Sequence, residues 1–246
     1  MTSLKNKIRL AILISGNGTT MEAIIKACRS GRLANVEPVL VISSNPLALG
    51  IVKASALGIK DEDILAINPK DFANREEFGK KIIEECKLRK VNFIGQYGWH
   101  WKTPENVIKE FKNMIINQHP GPLDTNRPDF GGPGMFGLRV HQARLDFVQR
   151  VKRDFWSEAT TNRVTKEFDK GAIVKRKQVT ILADDTAEIL AARMLPVEHE
   201  VQIKALVDFT NGTVTEFYRS EPLIRSGEEK ILEECKENAK KLYLNG

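Results

Sequence analysis

The run Ile8–Ile14, apolar except at Arg9, leads straight into Ser15-Gly16-Asn17-Gly18-Thr19-Thr20 and then into Met21, Ile24, Ile25 and Cys28 at helical spacing. A short, continuous apolar run is the signature of a strand covered on both faces, and a strand, turn and helix in that order make half of a right-handed crossover. The alternation continues. Residues 37–42 read as a second strand, 47–57 as a helix ending at Gly58, 71–89 as a longer charged helix, and 91–95 and 114–116 as two more short buried strands. Strands that alternate with helices predict an α/β fold, a doubly wound and mainly parallel sheet with helices on both faces. Ligands of such a sheet gather beyond the carboxyl ends of its strands.

The pattern breaks after Pro120. Residues 121–134 are too rich in Gly and Pro for helix or strand, and a loop of that length inside a compact domain marks a functional segment. A helix over 138–150 follows, then two strands over 159–168 and 172–181 joined by Asp169-Lys170-Gly171, which predict a hairpin on one edge of the sheet. Residues 186–209 form a long helical pattern interrupted by Pro196. A last strand is expected over 213–217 and an amphipathic tail helix over 227–244.

Three places carry chemistry. Asn117 and His119 stand two residues apart where a strand ends, so an amide donor and a titratable imidazole point to one side, as an oxyanion grip requires; a turn cap and a satisfied loop histidine are the alternative. The turn holding Asn17, Gly18, Thr19 and Thr20 opens a helix, where backbone N–H groups and hydroxyls can bind a phosphate. It lacks the Lys of a nucleotide-hydrolysing loop, and a plain tight turn with a Thr cap is its alternative. Asp169 occupies a turn, a common place for Asp, and gains a catalytic role if that turn folds over His119. Arg75 and Glu198 sit on predicted helices, where charge is ordinarily solvated. Trp99 and Trp101 flank His100 just after a strand, either as core or as walls of a slot for a flat heterocycle.

Composition narrows the classes. The net charge of +6 is spread among acidic residues, and the dense triplet Lys175-Arg176-Lys177 lies in a strand-like segment without interleaved aromatics, so a solvated edge strand is expected and nucleic acid is not. No apolar stretch reaches the roughly 20 residues that span a bilayer, and Met1–Lys7 lacks a signal-peptide core. A cytoplasmic protein without a membrane partner is expected. The three cysteines, Cys28, Cys86 and Cys235, and the histidines His100, His141 and His199 show no zinc spacing, so free thiols and no metal are expected.

Taken together, Leu13-Ile14-Ser15-Gly16-Asn17-Gly18-Thr19, Asn117-x-His119-Pro120 and Phe168-Asp169-x-Gly171 resemble the motifs of the phosphoribosylglycinamide formyltransferases, and more broadly the formyltransferase catalytic domain, over residues 8–217. The resemblance implies a Rossmann-like fold and transfer of a formyl group from 10-formyltetrahydrofolate to the amine of glycinamide ribonucleotide in purine biosynthesis. It implies that Asn117, His119 and Asp169 are catalytic, and that Asn17, Gly18, Thr19, Thr20, Arg75 and Glu198 hold the ribotide. It also implies that Trp99, His100, Trp101 and Lys102 meet the folate. Partners are then small molecules, with a homodimer possible. The expected domains are a catalytic one over 1–220 and a helical tail over 221–246.

The chain departs from that family in places. Gly121-Pro122-Leu123-Asp124 stands where Ser-Leu-Leu-Pro is usual, Ala159-Thr160-Thr161-Asn162 where Gly-Thr-Ser-Val-His is usual, and Tyr97-Gly98-Trp99-His100-Trp101-Lys102 where the folate segment reads Gly-Phe-Met-Arg-Ile-Leu. The departures fall on the folate side. Rival expectations are a sugar-amine formyltransferase, a formyltetrahydrofolate hydrolase, a methionyl-tRNA formyltransferase or a silent ribotide- or folate-binding protein. The hydrolase is disfavoured because no N-terminal regulatory domain is present, and the tRNA enzyme because the tail is short.

Overall fold

The computed structural model describes residues 7–244; Met1–Asn6, most of the segment expected to lack a signal-peptide core, and residues 245–246 lie outside the described residues. The strands are β1 (Ile8–Ile14), β2 (Val36–Ser43), β3 (Ile64–Ala66), β4 (Phe93–Gln96), β5 (Ile115–His119), β6 (Trp156–Arg163) and β7 (Ile173–Thr180). The helices are α1 (Thr19–Arg29), α2 (Leu49–Ala56), α3 (Arg75–Leu88), α4 (Glu105–Glu110), α5 (Leu138–Val151), α6 (Ala187–Asn211) and α7 (Glu229–Leu242). The seven strands are ordered β3-β2-β1-β4-β5-β6-β7. This is the doubly wound, mostly parallel α/β sheet with an antiparallel edge.

The chain divides into two compact units, Met1–Gln118 with Gln202–Val214, and His119–Val201 with Thr215–Gly246. In the first unit β1 pairs in parallel with β2 and β4, β2 with β3, and β4 with β5. Every residue of β1 but Arg9 is buried, as a strand covered on both faces must be. Arg9 escapes because it lies near the start of the strand, where its guanidinium meets Glu37 at 3.0 Å and the carbonyl of Arg89. Phe93 meets the Phe209 ring edge-on at 4.7 Å between centroids, fixing the last turns of α6 against β4.

In the second unit β6 and β7 pair antiparallel, as a hairpin predicts. Their connection is longer than the three expected residues: it runs over 164–172 and holds Asp169 in a left-handed conformation, φ 56°. Two apolar clusters flank the hairpin. One gathers Leu145 and Val148 of α5 with Ala159, Ile181, Leu190 and Met194, and the other gathers Phe130, Met135, Val140 and Phe147 with Leu232, Cys235 and Ala239 of α7. The tail helix is therefore part of a core.

Some expectations need correction. The last strand, expected over 213–217, reduces to one bridge between Phe217 and Ile173, the residues on either side of Phe217 making no strand pairing. The short β3 and α4 carry too little pattern to be read from sequence. The triplet 175–177 is not wholly solvated: Lys177 is exposed, but Arg176 pairs with the fully buried Glu158 at 2.6 Å and stacks over Phe217 at 3.7 Å. A carboxylate buried in β6 draws the charge inward.

Candidate active site

In the first unit the carboxyl ends of β1, β4 and β5 lie along one edge, since the three strands are parallel and adjacent. The turn after β1 is pinned there. Ser15 N–H donates to the Gly98 carbonyl at 2.9 Å, the Ser15 and Ser44 hydroxyls meet at 2.7 Å, and the Ser15 hydroxyl accepts the His100 N–H at 3.1 Å. Gly18, φ 64°, is the residue that caps α1, not a threonine. Having no side chain, it leaves the first N–H groups of α1 uncapped, with Thr19 and Thr20 as its opening residues and Asn17 exposed ahead of it. Uncapped N–H groups at a helix start are able to bind an anion.

The aromatic pair after β4 is divided. Trp99 is buried and stacks on Phe78 of α3 with ring centroids 6.2 Å apart and planes 6° apart, whereas His100 and Trp101 are exposed and Lys102 is half-buried. Arg75 is the exposed first residue of α3, whose N-terminus is capped by the Asn74 side chain. Asn117 and His119 are the third and last residues of β5, so the strand carries both rather than ending before them.

In the second unit the 164–172 turn folds back as the catalytic reading of Asp169 requires. Its carboxylate Oδ2 lies 3.7 Å from His119 Nδ1, with both side chains buried. That separation is an electrostatic contact rather than a direct hydrogen bond. The other ring nitrogen of His119, Nε2, is buried and has no hydrogen-bond partner among the described residues. Such a group is costly unless something else completes it, and a reactant is one such thing. Glu198 is buried on α6.

The unusual residues after Pro120 now have a reason. A Cβ at position 121 would meet Val140 Cγ1 at 2.3 Å, so the packing of α5 leaves room there for glycine. The Gly121 carbonyl accepts the Thr160 hydroxyl at 2.8 Å. Beyond it the loop is braced by its own carboxylates. Asp124 takes the Arg127 guanidinium on Oδ1 and the Leu223 N–H on Oδ2; Asp129 takes the N–H groups of Asp124 and Gly131 and the Lys170 ammonium at 3.1 Å. The Gly132 N–H in turn donates to Asp169 Oδ2 at 2.9 Å.

Asp129, Gly132 and Lys170 also serve the site, though no motif singles them out. Carboxylates within a Gly/Pro-rich loop were the available signal, since buried backbone donors in such a loop need acceptors. His141, whose spacing gives it no metal role, is buried on α5; desolvation, and then the neighbouring His119, hold its pKa down at about 4. Among the described residues no group of three or more His, Cys, Asp or Glu is arranged to hold a metal ion.

Residues 8–206 match the formyl transferase family model. The trifunctional purine biosynthetic protein adenosine-3 of Drosophila melanogaster is 32% identical over 214 residues, which cover 87% of this chain and 14% of that protein. The chloroplastic phosphoribosylglycinamide formyltransferase of Arabidopsis thaliana is 29% identical over 202 residues, 80% of this chain and 64% of the relative. The chain thus spans less than two thirds of the length of these curated relatives. The crystal structure of phosphoribosylglycinamide formyltransferase from Brucella melitensis superposes with a TM-score of 0.70 at 31% identity, covering 86% of this chain and 100% of that one. The motifs, the sheet and the extent of these matches agree, and the chain belongs to the formyl transferase family.

Proposed function

We propose that the protein transfers a formyl group from 10-formyltetrahydrofolate to the amine of glycinamide ribonucleotide; relatives named phosphoribosylglycinamide formyltransferase and purine biosynthetic protein support the acceptor and the pathway. The observation that carries the proposal is the buried His119–Asp169 pair, with the outer nitrogen of the imidazole left without a partner. Amine attack on a formyl carbon develops negative charge on the formyl oxygen, and a nearby imidazolium and an amide donor stabilise it; one such donor is typically worth about 2.7–4 kcal/mol of barrier.

In this reading His119 supplies the positive charge and Asn117, two residues earlier on β5, supplies the amide. Asp169, facing His119 across 3.7 Å, takes part in moving the amine proton to the departing folate nitrogen, directly or through water. The turn of Asn17, Gly18, Thr19 and Thr20 holds the ribotide phosphate at the start of α1, with Arg75 and Glu198 as further ribotide contacts. The segment of Trp99, His100, Trp101 and Lys102 meets the folate, with Trp99 as a fixed wall and its neighbours as the accessible groups. The proposed division is a formyltransferase domain over residues 1–220 with 221–246 as a helical tail that packs into the same core, and the protein is assigned to the cytoplasm with small molecules as its partners.

The test is incubation of the protein with glycinamide ribonucleotide and 10-formyltetrahydrofolate, following deformylated folate by absorbance and formylated ribotide by mass. Formation of both products in equal amounts supports the proposal. Deformylated folate at the same rate without the amine would make the protein a hydrolase instead.

A further inference from the structure

The tail helix α7 lies beyond residues 8–206 that match the family, yet one of its side chains reaches the loop that holds Asp169. Lys236 follows Cys235 on the buried face of α7; its side chain is only 12% exposed, and its ammonium donates to the Gly131 carbonyl at 3.2 Å. The Gly131 carbonyl and the Gly132 N–H belong to one planar peptide unit and point in opposite directions. That N–H is the donor to Asp169 Oδ2 at 2.9 Å, and Asp169 Oδ2 faces His119 Nδ1. A cation on the carbonyl orients the peptide plane and polarises it, which makes its N–H a stronger donor to the carboxylate on the far side.

The rest of the peptide's setting is equally fixed. The Gly131 N–H is held by Asp129 Oδ1 at 3.0 Å, and Arg139 ties the Gly134 carbonyl to the carbonyls of Tyr243 and Leu244 at the end of the tail. A Cβ at Gly131 would lie 2.6 Å from that of Asp169, so the loop cannot carry a side chain there without displacing the carboxylate. Burial pushes the proton affinity of the Lys236 amine down, while Glu233 and Asp129 nearby oppose that effect.

We infer that Lys236 is a positioning residue, acting through the Gly131–Gly132 peptide to hold the Asp169 carboxylate against His119, and that the C-terminal helix is thereby a working part of the active site. Because this role rests on the proposed reaction for its kinetic consequence, one readout is chosen that needs no substrate. In the free protein, the Gly132 amide proton resonance reports its hydrogen bond to Asp169. Lys236→Met moves it in the same upfield direction as Asp169→Asn does, and Lys236→Arg leaves it near its original position.

In turnover, Lys236→Met lowers kcat about ten- to a hundredfold, the range expected for a slightly misplaced group, with KM for both substrates within about threefold. Lys236→Arg recovers most of that loss. In an Asp169→Asn background Lys236→Met changes kcat by less than about twofold, because residues acting as one unit are not additive. If Lys236→Met does not fold, Lys236→Gln is measured in its place. An unmoved Gly132 amide, or an equal loss of kcat with and without Asp169, overturns the inference. A moved amide in a protein that forms no formylated ribotide would leave the positioning intact and sink the proposed reaction instead.

Discussion

Gly131 lies so close to Asp169 that a Cβ on the glycine would stand 2.6 Å from the Cβ of the aspartate and 2.7 Å from Leu123 Cδ2. Neither neighbour can yield freely, since Leu123 is fully buried and Asp169 is held by the Gly132 N–H. Gly131→Ala is therefore expected to destabilise the protein by about 1–3 kcal/mol through overpacking and to lower kcat more than it raises KM. Urea unfolding and steady-state kinetics on the same preparation check both effects. Unchanged stability and turnover would mean that the approach is not tight.

Glu158 carries a second expectation. It is fully buried on β6, and its carboxylate meets Arg176 at 2.6 Å and Arg219 on its other oxygen; Arg219 also donates to the Leu123 carbonyl. Removing one member of a buried charge network leaves the others uncompensated, so Glu158→Ala should cost about 3–5 kcal/mol. A loss below about 1 kcal/mol in chemical denaturation would show that solvent already relieves these charges.

A third expectation concerns acid. The folded-state pKa of His141 is held at about 4, below the ordinary value of 6.5, first by burial and then by His119. Between those values the unfolded chain binds the extra proton, so stability is complete above about pH 6.5 and falls as the pH drops towards 4, by roughly 3 kcal/mol in all. His141→Gln should flatten that part of the stability curve, whatever its effect at neutral pH. Parallel acid curves for the two proteins in urea titrations at pH 7, 5.5 and 4.5 would contradict the assignment.

What could be read from sequence follows the strength of the local pattern. The apolar runs that became β1, β4 and β5 are covered on both faces, so their burial is written in consecutive residues. The three residues of β3 have no such room, and the single Phe217 bridge is decided by β7 rather than by its own neighbours. His119 and Asp169 were legible as types in suggestive places, but their 3.7 Å approach depends on a long connection after β6 that no periodicity announces. Lys236 was hidden for a related reason. On an amphipathic helix a lysine beside the apolar stripe ordinarily runs its stem along the surface and its charge into water, and only the glycine loop it meets turns it inward. The aromatic segment shows the reverse: Trp99 and Trp101 look alike in sequence and differ because Phe78 claims one of them.

The most direct test of formyl transfer through His119 and Asp169 is the turnover of Asp169→Asn with glycinamide ribonucleotide and 10-formyltetrahydrofolate. The substitution keeps the shape of the side chain and removes its charge, so KM should stay within about threefold. The loss should appear in kcat, by about a hundredfold or more, as expected when a group that moves a proton in the transition state is removed. A variant that turns over at near the wild-type rate would contradict the role given to this pair, and with it the chemistry proposed for the site.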